Sequence, residues 1–175
     1  ISDIEKALQF VEKMKNLPNP ILPYLEVCNQ ILQIYMQNGE LDGAQIIIDM
    51  MDEFNIKPDF STYEITMLGY METENYSEVD RMFREMGEHF QYQSIFGCAI
   101  IISRYFRVGD TDSAIGTFEE IYDLKLPLDN VIYTALIEGL CQHDMIPEAQ
   151  KYFESMRIDE IPVDLNLIEI LLEAY

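Results

Sequence analysis

A 35-residue period constrains this chain more than any other feature. Cys28, Tyr63, Cys98, Tyr133 and Ile168 stand 35 residues apart. From each, apolar or near-apolar side chains recur three, four and seven residues later. The sets are Cys28/Ile31/Leu32/Tyr35, Tyr63/Thr66/Met67/Tyr70, Cys98/Ile101/Ile102/Tyr105, Tyr133/Leu136/Ile137/Leu140 and Ile168/Leu171/Leu172/Tyr175. This spacing draws one stripe along a helix. A second stripe follows in four units, as Ala44/Ile47/Ile48/Met51, Val79/Met82/Phe83/Met86, Ala114/Thr117/Phe118/Ile121 and Ala149/Tyr152/Phe153/Met156. A shorter copy, Ala7/Phe10/Val11/Met14, opens the chain 37 residues before Ala44, and the prolines Pro18, Pro20 and Pro23 in its linker disfavour helix there. Self-similarity at a fixed period of this length marks an array of identical supersecondary units.

The punctuation follows the same period. Gly39 and Gly109 fall between the two helices of their units, where a left-handed residue closes the first helix. Ser2 with Glu5, and Ser61 with Glu64, have capping-box spacing at helix starts, and Pro147 falls in a first turn. Units close on Lys57-Pro58-Asp59, Pro127-Leu128-Asp129 and Pro162-Val163-Asp164, while the second closes without proline on Tyr92-Gln93-Ser94. The resulting division is a half repeat with its Pro-rich linker over 1–24, four full repeats over 25–59, 60–94, 95–129 and 130–164, and a half repeat over 165–175. A two-helix unit with one apolar stripe per helix cannot bury itself alone, so neighbours must stack. The expected fold is all-α, a right-handed α-solenoid of helix–turn–helix repeats with one concave face.

Composition narrows the function by exclusion. An apolar fraction of 49% excludes disorder, and no apolar run is long enough to span a membrane. Three cysteines without a CxxC pair give neither a disulfide scaffold nor a zinc ribbon. Cys28 and Cys98 lie on core stripes and Cys141 follows one, so buried thiols are expected. His89 and His143 fall at a helix end and in a turn, as surface residues. Asp110-Thr111-Asp112 starts like a calcium loop but fails at Ala114, Ile115 and Ile121. Gly116 lies inside a second helix, not in a phosphate-binding loop. No metal, cofactor or catalytic constellation is expected, and the chain is read as a non-enzyme. It opens with Ile1 rather than Met, which suggests a fragment or processed product.

The fourth unit runs Val131-Ile132-Tyr133-Thr134-Ala135-Leu136-Ile137-Glu138-Gly139-Leu140-Cys141, then Glu148-Ala149 through Phe153-Glu154-Ser155-Met156, and closes on Ile161-Pro162-Val163-Asp164. It resembles a pentatricopeptide repeat, and the first unit repeats the likeness with Asn29, Gly39, Ala44, Met51 and Ile56-Lys57-Pro58-Asp59. The tetratricopeptide repeat shares some landmarks but has a shorter period and alanine where Met51, Met86 and Met156 stand. The resemblance covers essentially the whole chain. It implies an organellar protein, mitochondrial first and chloroplast second, that binds single-stranded RNA one base per repeat in RNA processing, stability or translation.

In the family that the chain resembles, the fifth and last residues of a unit face the base edge and the second wedges between bases. Carried over, Thr134 with Asp164 matches the guanine pair, with Val131 as wedge. Asn29 with Asp59 matches the uracil pair, but Glu26 stands at the wedge, where a charge would have to be desolvated. Ala99 offers no hydrogen bond beside Asp129, though Phe96 can stack on a base. Glu64 and Ser94 match no pair, and the trailing half repeat places Asn166 and Glu169 at these positions. At the phosphate-contacting place the units hold Gln37, Glu72, Arg107 and Gln142, so Arg107, helped by Arg104, is the expected cation.

The formal charge is −21, from 11 basic and 32 acidic residues, which argues against easy attraction to nucleic acid. Of the 27 acids over residues 25–164, 20 lie in inter-helix turns and second helices. If second helices form the outer wall, salt with a Debye length of about 8 Å screens most of that charge from the inner face. Weak RNA binding is therefore expected from this segment alone. The alternative is a scaffold or adaptor solenoid, whose acids dock on basic organellar proteins or ribosomal subunits, as in the mitochondrial ribosome.

Overall fold

The structure, a computed structural model, describes Lys13, residues 25–90 and residues 94–174. The leading Ala7/Phe10/Val11/Met14 stripe, the Ser2–Glu5 spacing, Pro18, Pro20, Pro23, Tyr92, Gln93 and Tyr175 lie outside the described residues. From Leu25 onward the described elements are all helices: α1 (Leu25–Gln37), α2 (Leu41–Glu53), α3 (Phe60–Glu72), α4 (Tyr76–Phe90), α5 (Ile95–Arg107), α6 (Thr111–Asp123), α7 (Asn130–Gln142), α8 (Ile146–Ile158) and α9 (Leu165–Ala174). The first helices begin at Leu25, Phe60, Ile95, Asn130 and Leu165, each 35 residues after the last. The second helices begin at Leu41, Tyr76, Thr111 and Ile146, with the same step.

The turn inside each hairpin is built identically. Gly39, Glu74, Gly109 and Asp144 all have positive φ, between 58° and 78°. The next residue then donates its N–H to a carbonyl five residues back: Glu40 to Tyr35, Asn75 to Tyr70, Asp110 to Tyr105 and Met145 to Leu140, at 2.8–2.9 Å. These are Schellman closures, which satisfy carbonyls the helix end leaves open. Glycine marks two of them in the sequence, whereas Glu74 and Asp144 make the same turn at a steric cost. A second left-handed set, Asn55, Lys125 and Glu160, closes second helices at the same period.

The chain divides into two compact units, residues 1–86 and 87–175, and the division falls within α4. In the first unit α1 packs against both α2 and α3. In the second, α5 packs against α6 and α7, and α7 against α6, α8 and α9. Within each unit first helices thus lie on first helices, and α1, α5 and α7 are backed by second helices. The predicted stripes form the core: Cys28, Leu32, Tyr35, Ala44, Ile47 and Met51 are buried in the first unit. In the second, Phe118 meets the edges of Tyr133 and Tyr152 at 4.9 and 5.4 Å.

The tyrosine hydroxyls bond acids of neighbouring helices. Tyr133 donates to Asp159 at 2.6 Å, and burial with that acceptor holds its phenol protonated well above the usual range. Tyr152 donates to Glu119 at 3.0 Å and is pushed up to about 12 for the same two reasons. Burial, helped by the charge of Glu120, raises the Cys98 thiol to about 11, and burial also raises Cys28 and Cys141. Cys28 and Cys98 are buried packing groups, as their positions on the stripes suggested, while Cys141 is half-buried.

Two expectations are corrected. The box at the start of α3 is not Ser61 with Glu64. Asp59 is the N-cap, its carboxylate accepting from the Thr62 N–H while the Thr62 hydroxyl accepts from the Asp59 N–H. Ser61 and Glu64 already lie inside the helix, so that spacing was two residues out of phase. The fifth stripe is not buried either: Ile168 is 42% and Leu172 73% exposed. In the hairpins this stripe packs on a following second helix, which α9 does not have among the described residues.

Close approach between first helices rests on glycine. A Cβ at Gly69 would meet the Met36 side chain, and one at Gly139 would overlap the ring of Phe106. Gly139→Ala is therefore expected to destabilise the second unit by about 1–3 kcal/mol. Asp144→Gly, which relieves the left-handed turn, is expected to stabilise it by about 1 kcal/mol. Urea unfolding followed by circular dichroism measures both, and an unchanged midpoint for either variant would contradict the corresponding geometry.

Candidate functional site

The first helices present their N-terminal turns together with the residue that closes each unit. That closing residue has a local task, which the helix imposes. The first four N–H groups of a helix lack intrahelical partners, and a short side-chain oxygen at the N-cap satisfies one or two of them. Asp59 caps α3, Ser94 caps α5 through the Gly97 N–H at 2.8 Å, and Asp129 caps α7 through Val131 and Ile132 at 3.1 Å. Asp164 accepts from the Leu167 N–H at 2.9 Å at the start of α9. One requirement places an acceptor at the same point of every unit.

In the first repeat the structure brings the expected pair together. The Asn29 amide donates to Asp59 Oδ1 at 3.1 Å. The Thr62 hydroxyl lies 2.8 Å from Asn29 Oδ1 and 2.9 Å from Asp59 Oδ1, its single proton shared between the two. Asn29 is only 9% exposed and is held rigidly by this network. All of these bonds use Oδ1, and Asp59 Oδ2 has no partner among the described residues. An open pocket beside the pair is lined by Glu26, Asn29, Gln30, Gln33, Asp59 and Ile65. Burial alone would raise the Asp59 carboxyl, but hydrogen bonds from the Thr62 backbone and hydroxyl and from Asn29 outweigh it and hold the group below its ordinary value.

The fourth repeat is arranged differently. Asp164 Oδ2 accepts from the Asn130 amide at 3.1 Å. The Thr134 hydroxyl oxygen is enclosed and makes no hydrogen bond, so Thr134 and Asp164 are not joined. Val131, the expected wedge, is 38% exposed on the first turn of α7. In the third repeat Ala99 is 3% exposed and has almost no surface to offer, while Asp129 is exposed and Phe96 half-buried. In the second, Glu64 and Ser94 are both half-buried. The second residues of the other units, Glu26, Ser61 and Asn166, are exposed like Val131.

Arg104 and Arg107 occupy the last turn of α5, where cations complement the helix dipole. Arg107 is exposed, and the Arg104 guanidinium lies 4.9 Å from the centroid of the Tyr105 ring. Among the described residues no group of three acids, cysteines or histidines could hold a metal, and no helix is long and apolar enough to cross a membrane. Thr62 and Asn130 were missed in the sequence. Thr62 stands at capping-box distance from Asp59. Asn130 is polar where the other units begin with Leu25, Phe60, Ile95 and Leu165.

Comparisons with known proteins identify the repeat. The model of the PPR repeat matches residues 131–161, and that of the pentatricopeptide repeat domain matches residues 9–71. Together they take in more than half of the chain. Among curated relatives in Arabidopsis thaliana, the pentatricopeptide repeat-containing protein DOT4, chloroplastic, is 27% identical over 83% of this chain and 16% of its own length. A mitochondrial pentatricopeptide repeat-containing protein is 33% identical over 43% of this chain and 14% of its own length. The chain spans less than a fifth of the first curated relatives it matches.

Among solved structures, the pentatricopeptide repeat protein PPR10 in complex with an 18-nt psaJ RNA element superposes with a TM-score of 0.81 at 20% identity, over 98% of this chain and 24% of that one. The PPR domain of A. thaliana protein-only RNase P 1 in complex with tRNA gives 0.69 at 15% identity, over 98% and 90%. At these identities the likeness shows the fold, an all-α solenoid of helix–turn–helix repeats.

The cap at Asp59 yields a pH-dependent prediction. A carboxyl whose folded value is depressed adds stability above its unfolded value and loses it as pH falls through the folded one. Asp59→Ala is expected to cost about 1 kcal/mol at pH 7. The gap to the parent protein should narrow as pH falls below about 4. Unfolding midpoints measured from pH 7 to pH 3 check this, and a constant gap would show that the charge contributes nothing.

Proposed function

This chain belongs to the pentatricopeptide repeat family, and we propose that it binds single-stranded RNA, with the residues at the N-terminal ends of its first helices reading base edges. The observation that carries the reading is the Asn29–Asp59 pair. It joins a fixed amide to a carboxylate with one unpartnered oxygen, beside an open pocket. A carboxylate oxygen only accepts, so at the ring nitrogen of the pairing edge it gains a hydrogen bond from uracil or guanine, whose nitrogen carries a proton, and meets a lone pair in adenine or cytosine. That preference matches the uracil assignment which the family resemblance gives to Asn29 and Asp59.

The readers are the units 25–59, 60–94, 95–129 and 130–164, and they are unequal. Asn29 with Asp59 is the assembled site. Thr134 with Asp164, and Val131 as the stacking surface, form the second. Asp129 with Phe96 offers an acceptor and a ring without help from the buried Ala99, and Glu64 with Ser94 contributes least. Arg107 and Arg104 supply the phosphate contact. With so few cations, affinity is weak, and the segment adds selectivity to a longer protein. The names of the relatives place the family in mitochondria and chloroplasts, and mitochondria are our first assignment. The role is recognition in RNA processing, stability or translation, without a catalytic step in this chain. The scaffold reading, in which the acidic second helices meet a basic organellar or ribosomal protein, draws on the net charge of −21.

The test is binding of the fragment to a random single-stranded RNA pool, read by gel shift at two salt concentrations. Weak, salt-dependent binding is expected. Arg104→Ala with Arg107→Ala should weaken it and lower the salt slope by about 0.7 for each phosphate that is no longer neutralised. Absence of binding at low salt would sink the RNA reading in favour of the scaffold. Unchanged affinity and slope in the double variant would remove the two arginines from the interface.

A further inference from the structure

In the first and fourth repeats the terminal acid has the same capping task but a different second bond. Asp59 receives its cap N–H, the Thr62 hydroxyl and the reading-position amide of Asn29 on Oδ1, which leaves Oδ2 open. Asp164 receives its cap N–H on Oδ1, and its Oδ2 is taken at 3.1 Å by Asn130, the first residue of the repeat. The reading-position hydroxyl of Thr134 is enclosed and unbonded. In the fourth repeat both groups proposed to read a base are therefore turned away from that use.

The cause lies in one residue. Position one of a unit is apolar at Leu25, Phe60, Ile95 and Leu165, and a polar side chain stands there only at Asn130. An apolar residue cannot compete for the carboxylate, whereas Asn130 carries two N–H donors on a short stem.

Resting on the RNA reading above, we infer that Asn130 is a positioning residue that lowers base discrimination by the fourth repeat, holding Asp164 Oδ2 until an incoming base displaces it. A base that donates to Asp164 must first replace the Asn130 bond, so most of its hydrogen-bond gain is an exchange. Discrimination at this nucleotide is then weak, although the Thr134–Asp164 pair looks like a full reading pair. Release of Asp164 also gives the Thr134 hydroxyl a route out of its unsatisfied state. Threonine in a helix populates two χ1 rotamers, and a turn about χ1 exchanges its methyl and hydroxyl. Asn130 thus sets how sharply the fourth repeat reads, without touching the base itself.

The test uses Asn130→Leu, which places at this position the side chain that Leu25 and Leu165 already carry and so preserves the fold. An RNA selected from a random pool by the parent fragment is resynthesised with each nucleotide replaced in turn, and binding of both proteins is measured. In Asn130→Leu the preference for guanine or uracil over adenine or cytosine should rise about two- to tenfold at one nucleotide and nowhere else. Asn130→Leu combined with Asp164→Ala should abolish the gain. The Asn130 side-chain amide resonances, followed by NMR without RNA, should shift in Asp164→Ala.

Unaltered resonances in Asp164→Ala would overturn the inference whatever RNA does. A flat discrimination profile in Asn130→Leu, with RNA still bound, would overturn it and leave the RNA reading standing. Failure of the parent fragment to select any RNA would remove the reading and this inference together.

Discussion

The structure depends on the inability of a single helical hairpin to bury its own apolar surface. Each two-helix unit carries one stripe per helix, and a fully buried Leu, Ile, Phe or Met side chain is worth about 1.5–3 kcal/mol. Leu32, Met67, Ile102 and Leu136 are completely buried, and each lies on a first helix that packs on another first helix. Such burial requires neighbours of matching shape. The 35-residue period is the sequence record of that requirement. The glycines Gly69 and Gly139 appear where Met36 and Phe106 must enter the next helix. The Schellman turns recur because each hairpin must reverse at the same angle to keep the stripes aligned.

That constraint also builds the candidate site. Stacked first helices bring their N-termini side by side, and every N-terminus needs an acceptor. The residue that ends one repeat is therefore the cap of the next, and in the first repeat it also bonds Asn29, the fifth residue of its own repeat. Fold and recognition use one carboxylate. Its first oxygen serves the helix, and its second is left to whatever lies nearby. In the first repeat no described residue takes it, and in the fourth a neighbouring amide does. An array of equal hairpins can thus hold terminal acids of unequal availability while its packing stays the same.

Much of this was legible in the sequence, because periodicity reports burial directly. The stripes from Cys28 to Met156 supply most of the core, to which Met36, Ile100, Phe106 and Ile132 add from positions off the stripes, and Gly39 and Gly109 announced their turns. Glu74 and Asp144 make the same left-handed turn unannounced, since Schellman geometry and packing override a local steric cost. The cap at Asp59 was obscured by Ser61 and Glu64, which have the right spacing in the wrong place; the Pro–Asp end of one unit was not connected with the first turn of the next. In the site, the Asn29–Asp59 pair could be located from its positions. The bond from Asn130 to Asp164 could not, because 34 residues separate them and only the stacking of α7 on α9 makes them neighbours.

Charge decides what kind of reader such a chain can be. The acids concentrate on second helices, where nearby cations meet them. Arg81 bonds Glu78 and Glu85, and Arg157 bonds Glu154. These pairs are exposed and worth little individually, but they engage basic groups with acids of the second helices. What remains at those termini is a set of acceptors with few cations. Asp59, held by its hydrogen bonds below the ordinary carboxylate range, stays ionised and cannot donate at any physiological pH. A phosphate backbone gains little from such a surface and a base with a ring N–H gains much. In the proposed RNA reading, attraction and selection are thereby separated: selection would reside in these repeats, and the attraction that holds a strand would come mainly from charge elsewhere.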